Sequence, residues 1–204
     1  MSKVLIIDTG TSNIKSIANA INHLNFEYDI IKTAKKLNDA KCIILPGVGS
    51  FDRVIKSIKK KELDQSLKKA VLENKIPLLG ICIGMQILFD RSDEGKERGL
   101  CFLRGEIKKL TFSKDSKYKV PNTGFREVFF SNCNPLINKE IKMAHLYFNH
   151  SYALMSDKLS FDHDKSDHNN KFVVVVEAAG TGYVSYLAQI QFLDVRNFQL
   201  LFSD

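Results

Sequence analysis

Several things are scarce in this chain of 204 residues, and each scarcity closes a door. Tryptophan is absent, and the four cysteines, Cys42, Cys82, Cys101 and Cys133, show no Cys-x-x-Cys spacing. Neither a zinc site nor a disulfide framework is indicated, and the cytoplasm is the expected compartment. No apolar run approaches the roughly 18 residues that would span a membrane. The longest, Lys41 to Val48 and Leu78 to Met85, are strand-sized. Met1-Ser2-Lys3 leads directly into an expected strand, so no secretory signal is expected. There is no Walker-type phosphate loop, internal repeat, linker or low-complexity tract. Arginine is also sparse: Arg53, Arg91, Arg98, Arg104, Arg126 and Arg196 are all there are, and the net charge of +7 comes mainly from lysine. Nucleic-acid sites favour the planar fork of arginine with stacking aromatics. The lysines instead spread over helices as a solvated face, and no nucleic-acid partner is expected. Their positive field would attract anionic metabolites or an acidic partner.

What is present reads as one soluble domain over residues 1–204, with 44% hydrophobic and 26% charged residues. A chain of this length buries roughly 70% of its unfolded surface. Val4 to Asp8, Tyr28 to Ile31, Cys42 to Leu45 and Leu78 to Ile81 read as strands. Between them lie a helix reaching about Leu24 and a long helix over Phe51 to Glu73. This alternation predicts an α/β fold of three layers, a mostly parallel sheet with helices on both faces. The second half is strand-rich: Gly99 to Leu110, Arg126 to Phe130, Ala144 to Leu154, Phe172 to Ala178 and Tyr183 to Phe192. Ser160 to Asn170 reads as a solvated polar loop, with His163 and His168 among aspartates. Active sites of parallel sheets lie at the carboxyl ends of the strands. Asp8-Thr9-Gly10, Pro46-Gly47-Val48-Gly49 and Cys82 all fall on that edge.

Gly80-Ile81-Cys82-Ile83-Gly84-Met85-Gln86 follows a strand and precedes a helix expected from Met85 to Phe89. This is a nucleophile-elbow arrangement with cysteine at the apex. A thiol at a helix N-terminus meets free N–H groups and the positive end of the dipole, which favour thiolate. The flanking glycines permit a tight turn. The N–H of Ile83 would face an oxyanion formed by attack of the sulfur. A buried, inert cysteine in a strand–helix turn fits Gly-x-Cys-x-Gly equally well. The neighbouring turn Pro46-Gly47-Val48-Gly49 favours the catalytic reading, because it offers a second N–H, that of Val48.

Gly-Ile-Cys-Ile-Gly-Met-Gln resembles the nucleophile motif of class I (triad-type) glutamine amidotransferases. Within them the chain is similar to the glutaminase subunit of imidazole glycerol phosphate synthase. The likeness includes Asp8-Thr9-Gly10 through Asn13, Pro46 to Gly49, Glu94-Gly95 with Gly99-Leu100, Pro121 through Phe125, and Tyr147-Phe148-Asn149-His150-Ser151-Tyr152. The resemblance implies that Cys82 forms a glutamyl thioester and releases ammonia. It assigns the oxyanion to backbone at Val48 and Ile83. It places Gly49, Gln86, Glu94, Ser151 and Tyr152 around the substrate glutamine, and Tyr147 and His150 near the ammonia exit and partner interface. The implied partner is a cyclase or synthase subunit in a heterodimer, with no metal or organic cofactor. A partner that modifies a surface sugar is an alternative within the enzyme class.

The chain also departs from this family. The family reads Gln-Phe-His-Pro-Glu where Gln191-Phe192-Leu193-Asp194-Val195 stands. Leucine cannot accept or return a proton, and valine cannot orient a base. Phe125 stands where tryptophan is usual. Three explanations compete: an inactive descendant kept as a structural or regulatory subunit, a substitute such as Asp194 or a central histidine, or an altered C-terminal segment.

Overall fold

The computed structural model describes residues 3–111, 119–129, 140, 143–154, 171–175, 178–179, 183–184 and 188–192; of these, 126–129, 144–147 and everything from 171 onward are described as backbone. In chain order, β1 (Val4–Ile7) is followed by α1 (Ile14–His23), β2 (Tyr28–Ile31) and a 3-10 turn over Ala34–Asp39. Then come β3 (Cys42–Gly47), α2 (Phe51–Lys60), α3 (Leu63–Lys68), a π turn over Lys69–Glu73, β4 (Leu78–Cys82) and α4 (Ile83–Gln86). The rest is β5 (Arg91–Ser92), β6 (Glu106–Lys109), β7 (Asn122–Phe129), β8 (Met143–His150), β9 (Tyr152–Leu154), β10 (Lys171–Val175), β11 (Ala178–Ala179), β12 (Tyr183–Val184) and β13 (Ala188–Phe192).

The main sheet has six strands in the order β10-β13-β4-β3-β1-β2. β4, β3, β1 and β2 are mutually parallel, whereas β13 runs antiparallel to β4, and β10 antiparallel to β13. β5, β6 and β9 form a three-stranded sheet, and β7 pairs with β8. The expected α/β sheet is therefore present, with the strand-rich second half beside it. Every residue of β1 and β3 is buried, as strands covered on both faces should be. The core joins Leu5, Ile7, Ile43 and Leu45 of these strands to Phe51, Val54, Ile55 and Ile58 of α2. Among the described residues, no helix is long and apolar enough to cross a membrane.

Four expectations are corrected. The single helix over Phe51 to Glu73 breaks at Glu62, which adopts φ 54° and ψ 33°. Apolar positions step by three or four up to Ile58, then by five to Leu63, and both residues are fully buried. A continuous helix would turn Leu63 away from the core; a left-handed residue returns it, at a cost of about 1–2 kcal/mol. Second, Gly99 to Leu110 is a strand only at β6. Leu100 and Phe102 donate their N–H groups to the carbonyls of Ile87 and Leu88, at 2.7 and 2.9 Å, and so cap the segment after α4. Third, the strand reading over Ala144 to Leu154 is interrupted at Ser151, where β8 ends and β9 follows; residues 176–177 and 185–187 of the last two readings lie outside the described residues. Fourth, β4 runs through Cys82 and α4 starts at Ile83, because the elbow turns earlier than Met85. The loop with His163 and His168 lies outside the described residues, as does Cys133.

Candidate active site

β4 ends at the carboxyl edge of the sheet on Cys82, whose backbone is at φ 56° and ψ −119°. Residues other than glycine adopt such angles at a cost of order 1–3 kcal/mol, and they cluster at functional sites. The surrounding backbone holds the turn closed. A Cβ on Gly84 would lie 1.8 Å from the Leu45 carbonyl oxygen, and one on Gly80 would lie 2.6 Å from the Met85 Cα. A Cβ on Gly47 would be 2.6 Å from the Gly84 nitrogen. Glycine is thus required at 47 and 84 for β3 and α4 to approach, and at 80 for α4 to fold back against β4. The result is an exposed cysteine on a rigid corner.

The β3–β4 register pairs Gly47 with Cys82. Val48 and Gly49 therefore continue just beyond the neighbour of the cysteine. Gly49 has φ +104°, with open space where a side chain would stand. Ser12 Oγ donates to the Pro46 carbonyl at 3.0 Å, tying the turn after β1 to this one. Ser57 Oγ donates to the Thr9 carbonyl. The three turns expected at one edge are indeed adjacent.

The thiol behaves differently from the expectation. Desolvation by the surrounding protein raises its pKa above the usual thiol value; the Ile83 N–H, aimed at the sulfur, lowers it, and the Glu94 carboxylate raises it further. α4 has only four residues, too few to supply a substantial dipole. The free chain thus holds Cys82 as a thiol at neutral pH. Alkylation by iodoacetamide should keep accelerating with pH through and beyond 9. Removing the carboxylate charge with Glu94→Gln should bring that rise to lower pH. An unchanged profile would mean that Glu94 does not face the sulfur. Cys42 is different: burial in β3 pushes its pKa up to about 12, and it should stay unmodified in the folded chain.

Glu94 Oε2 accepts the Phe51 N–H at 2.8 Å, capping α2 from a distant loop. Gln86 is buried in α4 and donates through Nε2 to the Tyr152 carbonyl at 3.3 Å. Its Oε1 has no hydrogen-bond partner among the described residues, an uncommon state for a buried acceptor. Ser151 and Tyr152 are half-buried at the junction of β8 and β9. The Ser151 carbonyl accepts from Leu110 N–H at 2.8 Å. Gln86 and Tyr152 are thus brought together, and Cys82 and Glu94 share one electrostatic environment. The Tyr147 side chain and Leu193, Asp194 and Val195 lie outside the described residues.

His150 is buried between two partners. Its Nδ1 is 3.1 Å from the Tyr152 carbonyl and its Nε2 is 2.9 Å from Asn122 Nδ2. A carbonyl only accepts, so Nδ1 carries the proton and Nε2 accepts from the amide. Burial lowers its pKa to about 3. The imidazole is neutral, its Nδ1 proton is committed to the Tyr152 carbonyl and its Nε2 lone pair to the Asn122 amide, so it is not placed to exchange a proton with the thiol. The unfolded chain binds a proton near pH 6.5 that the folded chain refuses, so stability falls as pH drops from 6.5 toward 3. Lowering the pH to 5 should cost about 2 kcal/mol from this group alone. Urea titrations should show the slope, and His150→Asn should flatten it. An equal slope in that variant would place the acid sensitivity elsewhere.

Two side chains not singled out from the sequence shape the site. Ser12 ties the turn after β1 to the turn after β3 through the Pro46 carbonyl, while its neighbour Asn13 caps α1. Asp52, in the first turn of α2, accepts the N–H groups of Glu97 at 2.9 Å and Lys96 at 3.1 Å. Among the described residues, no group of three His, Cys, Asp or Glu could hold a metal ion.

The profile of a family described as "Glutamine amidotransferase class-I" matches residues 5–185. The chain is 40% identical over 150 residues to the "Imidazole glycerol phosphate synthase subunit HisH" of Leptospira borgpetersenii, covering 73% of this chain and 74% of that one. It is also 40% identical over 172 residues to the protein of the same name from Prochlorococcus marinus, covering 84% and 79%. A solved structure titled "Crystal structure of glutamine amidotransferase" superposes with a TM-score of 0.60 at 15% identity, over 84% of this chain and 79% of that one, which shows a shared fold.

Proposed function

The chain belongs to the class-I glutamine amidotransferases, and we propose that it serves as the glutaminase subunit of an imidazole glycerol phosphate synthase in histidine biosynthesis. The observation that carries this reading is the strained corner at Cys82, with the Ile83 N–H aimed at its sulfur and Gly47 of the neighbouring turn in register beside it. The sulfur attacks the side-chain carbonyl carbon of glutamine. The N–H groups of Ile83 and Val48 receive the oxyanion. The carbon–nitrogen bond breaks, ammonia leaves with the proton surrendered by the thiol, and water hydrolyses the thioester to glutamate. Gly49, Gln86, Glu94, Ser151 and Tyr152 hold the substrate. Glu94 supplies a carboxylate to the α-amino group, and the open Gln86 Oε1 supplies an acceptor. Tyr147 and His150 stand toward the ammonia exit, His150 as a packed structural group. The whole of residues 1–204 forms one domain, working in the cytoplasm as a heterodimer with a cyclase that consumes the ammonia in a lyase reaction.

A second reading has its own support. Leu193 and Val195 offer no base, the family match ends at residue 185, ahead of them, and the thiol is held protonated. On this reading the chain is a non-catalytic subunit. The deciding assay is ammonia release from glutamine by the chain produced together with its candidate cyclase, with Cys82→Ala as control. Cysteine-dependent release supports the glutaminase. A stable complex without release supports the non-catalytic subunit.

A further inference from the structure

The loop that carries Glu94 is fastened to the start of α2 by a reciprocal exchange. Glu94, from the loop, accepts the N–H of Phe51 in the first turn of the helix. Asp52, from the helix, accepts the N–H groups of Lys96 and Glu97 in the loop, one on each carboxylate oxygen. The two segments are more than forty residues apart in sequence, with Phe51 and Glu94 separated by 43. The pattern is that of a capping box, with each side chain satisfying the other segment's free amides, built across the fold. Gly95 sits against the carboxylate: a Cβ there would stand 1.9 Å from Asp52 Oδ1. Glu97 closes the clasp by pairing with Lys59 of α2 at 2.8 Å. Ser50, at the usual capping position, makes no side-chain cap, so the helix start depends on Glu94. Burial opposes ionisation of Asp52, yet the amides of Glu97 and Lys96, with Lys56 and Lys96 nearby, hold its carboxyl below the usual range. The clasp is charged at neutral pH.

We propose that Asp52 is the positioning residue for Glu94: by holding the amides of Lys96 and Glu97 it fixes the loop that carries the Glu94 carboxylate. The part of this inference that concerns glutamine rests on the function proposed above. The part that concerns the thiol does not. Asp52 touches neither the sulfur nor the substrate, and acts only by restricting where Glu94 can stand. Its deletion should therefore reproduce part of what deletion of the Glu94 charge does, and should do nothing once that charge is gone.

The test uses the full chain with Asp52→Ala, Asp52→Asn, Glu94→Gln and the double variant Asp52→Ala/Glu94→Gln. Alkylation of Cys82 by iodoacetamide is followed across pH by mass spectrometry of its peptide. Glu94→Gln should raise the rate at pH 8 by about threefold, as expected for removing one nearby charge in a partly solvated site. Asp52→Ala should move the profile in the same direction, and the double variant should match Glu94→Gln alone. Asp52→Asn keeps one acceptor and should fall between wild type and Asp52→Ala; it also serves if Asp52→Ala does not fold. With the cyclase and glutamine, Asp52→Ala should raise KM by about threefold to tenfold, in line with a loosened charge-assisted contact, with a smaller change in kcat. A Cys82 profile that Asp52→Ala and Asp52→Asn both leave at the wild-type position overturns the proposal, as does a shift in the double variant equal to the sum of the two singles. If wild type releases no ammonia, the alkylation cycle still decides the role of Asp52, so failure of the glutaminase reading and failure of this one remain distinct.

Discussion

Gly84→Ala should destabilise the fold by about 3 kcal/mol or more, enough to abolish much of the soluble yield. The added carbon would lie 1.8 Å from the Leu45 carbonyl oxygen and 2.7 Å from the Leu45 carbonyl carbon. These atoms belong to β3, in the middle of the main sheet, and no side chain can swing aside to make room. Either β3 shifts, straining its pairing with β1 and β4, or α4 lifts away and uncovers Met85 and Ile87, which are buried. Gly49→Ala is the matched control. Its φ of +104° also disfavours a side chain, but nothing lies within 4 Å. Its cost should be limited to the conformational term, about 1–2 kcal/mol. Urea titration of both variants would check this. Equal midpoints would mean that the approach of α4 to β3 is not a packing constraint.

Replacing Leu193 by histidine together with Val195 by glutamate should raise glutamine turnover by about 10²–10⁴ in the presence of the cyclase. The reason is the thiol. Held protonated by desolvation and by Glu94, Cys82 needs a group to take its proton and to return one to the departing nitrogen. His150 cannot serve, since both ring nitrogens are engaged and its pKa is lowered to about 3. The wild-type rate should follow thiol ionisation and climb beyond pH 9. The double variant should gain an acidic limb near pH 6.5, the signature of an imidazole base. Absence of any gain would mean that the backbone after Phe192 no longer delivers residue 193 to the sulfur.

Much of this site could be read from short-range pattern. The elbow, the glycine turn after β3 and the Asp8-Thr9-Gly10 turn each carry their own local signature, and alternation of strands and helices places them on one edge. The break at Glu62 was also readable, as a step of five between Ile58 and Leu63, but the surrounding periodicity hid it. The segment at Gly99 to Leu103 escaped because its amides answer carbonyls at Ile87 and Leu88 that a short helix leaves open. Nothing in an isolated stretch announces that demand. Asp52 is the extreme case: it resembles a surface carboxylate, and only its hold on the amides of a loop more than forty residues away gives it a role. The reactivity of Cys82 was misjudged for a related reason. The helix end was visible in sequence, whereas its brevity and the partial desolvation of the sulfur depend on packing.

The unusual backbone at Cys82 has an evolutionary side. A left-handed corner costs stability for as long as any residue other than glycine occupies it. In a lineage with no further use for the sulfur, glycine at this position would be an improvement, reachable by ordinary drift and rewarded at once. The strained cysteine is therefore among the first things that idleness would erase, ahead of the flanking glycines, which the approach of two backbones keeps in place whatever the chemistry.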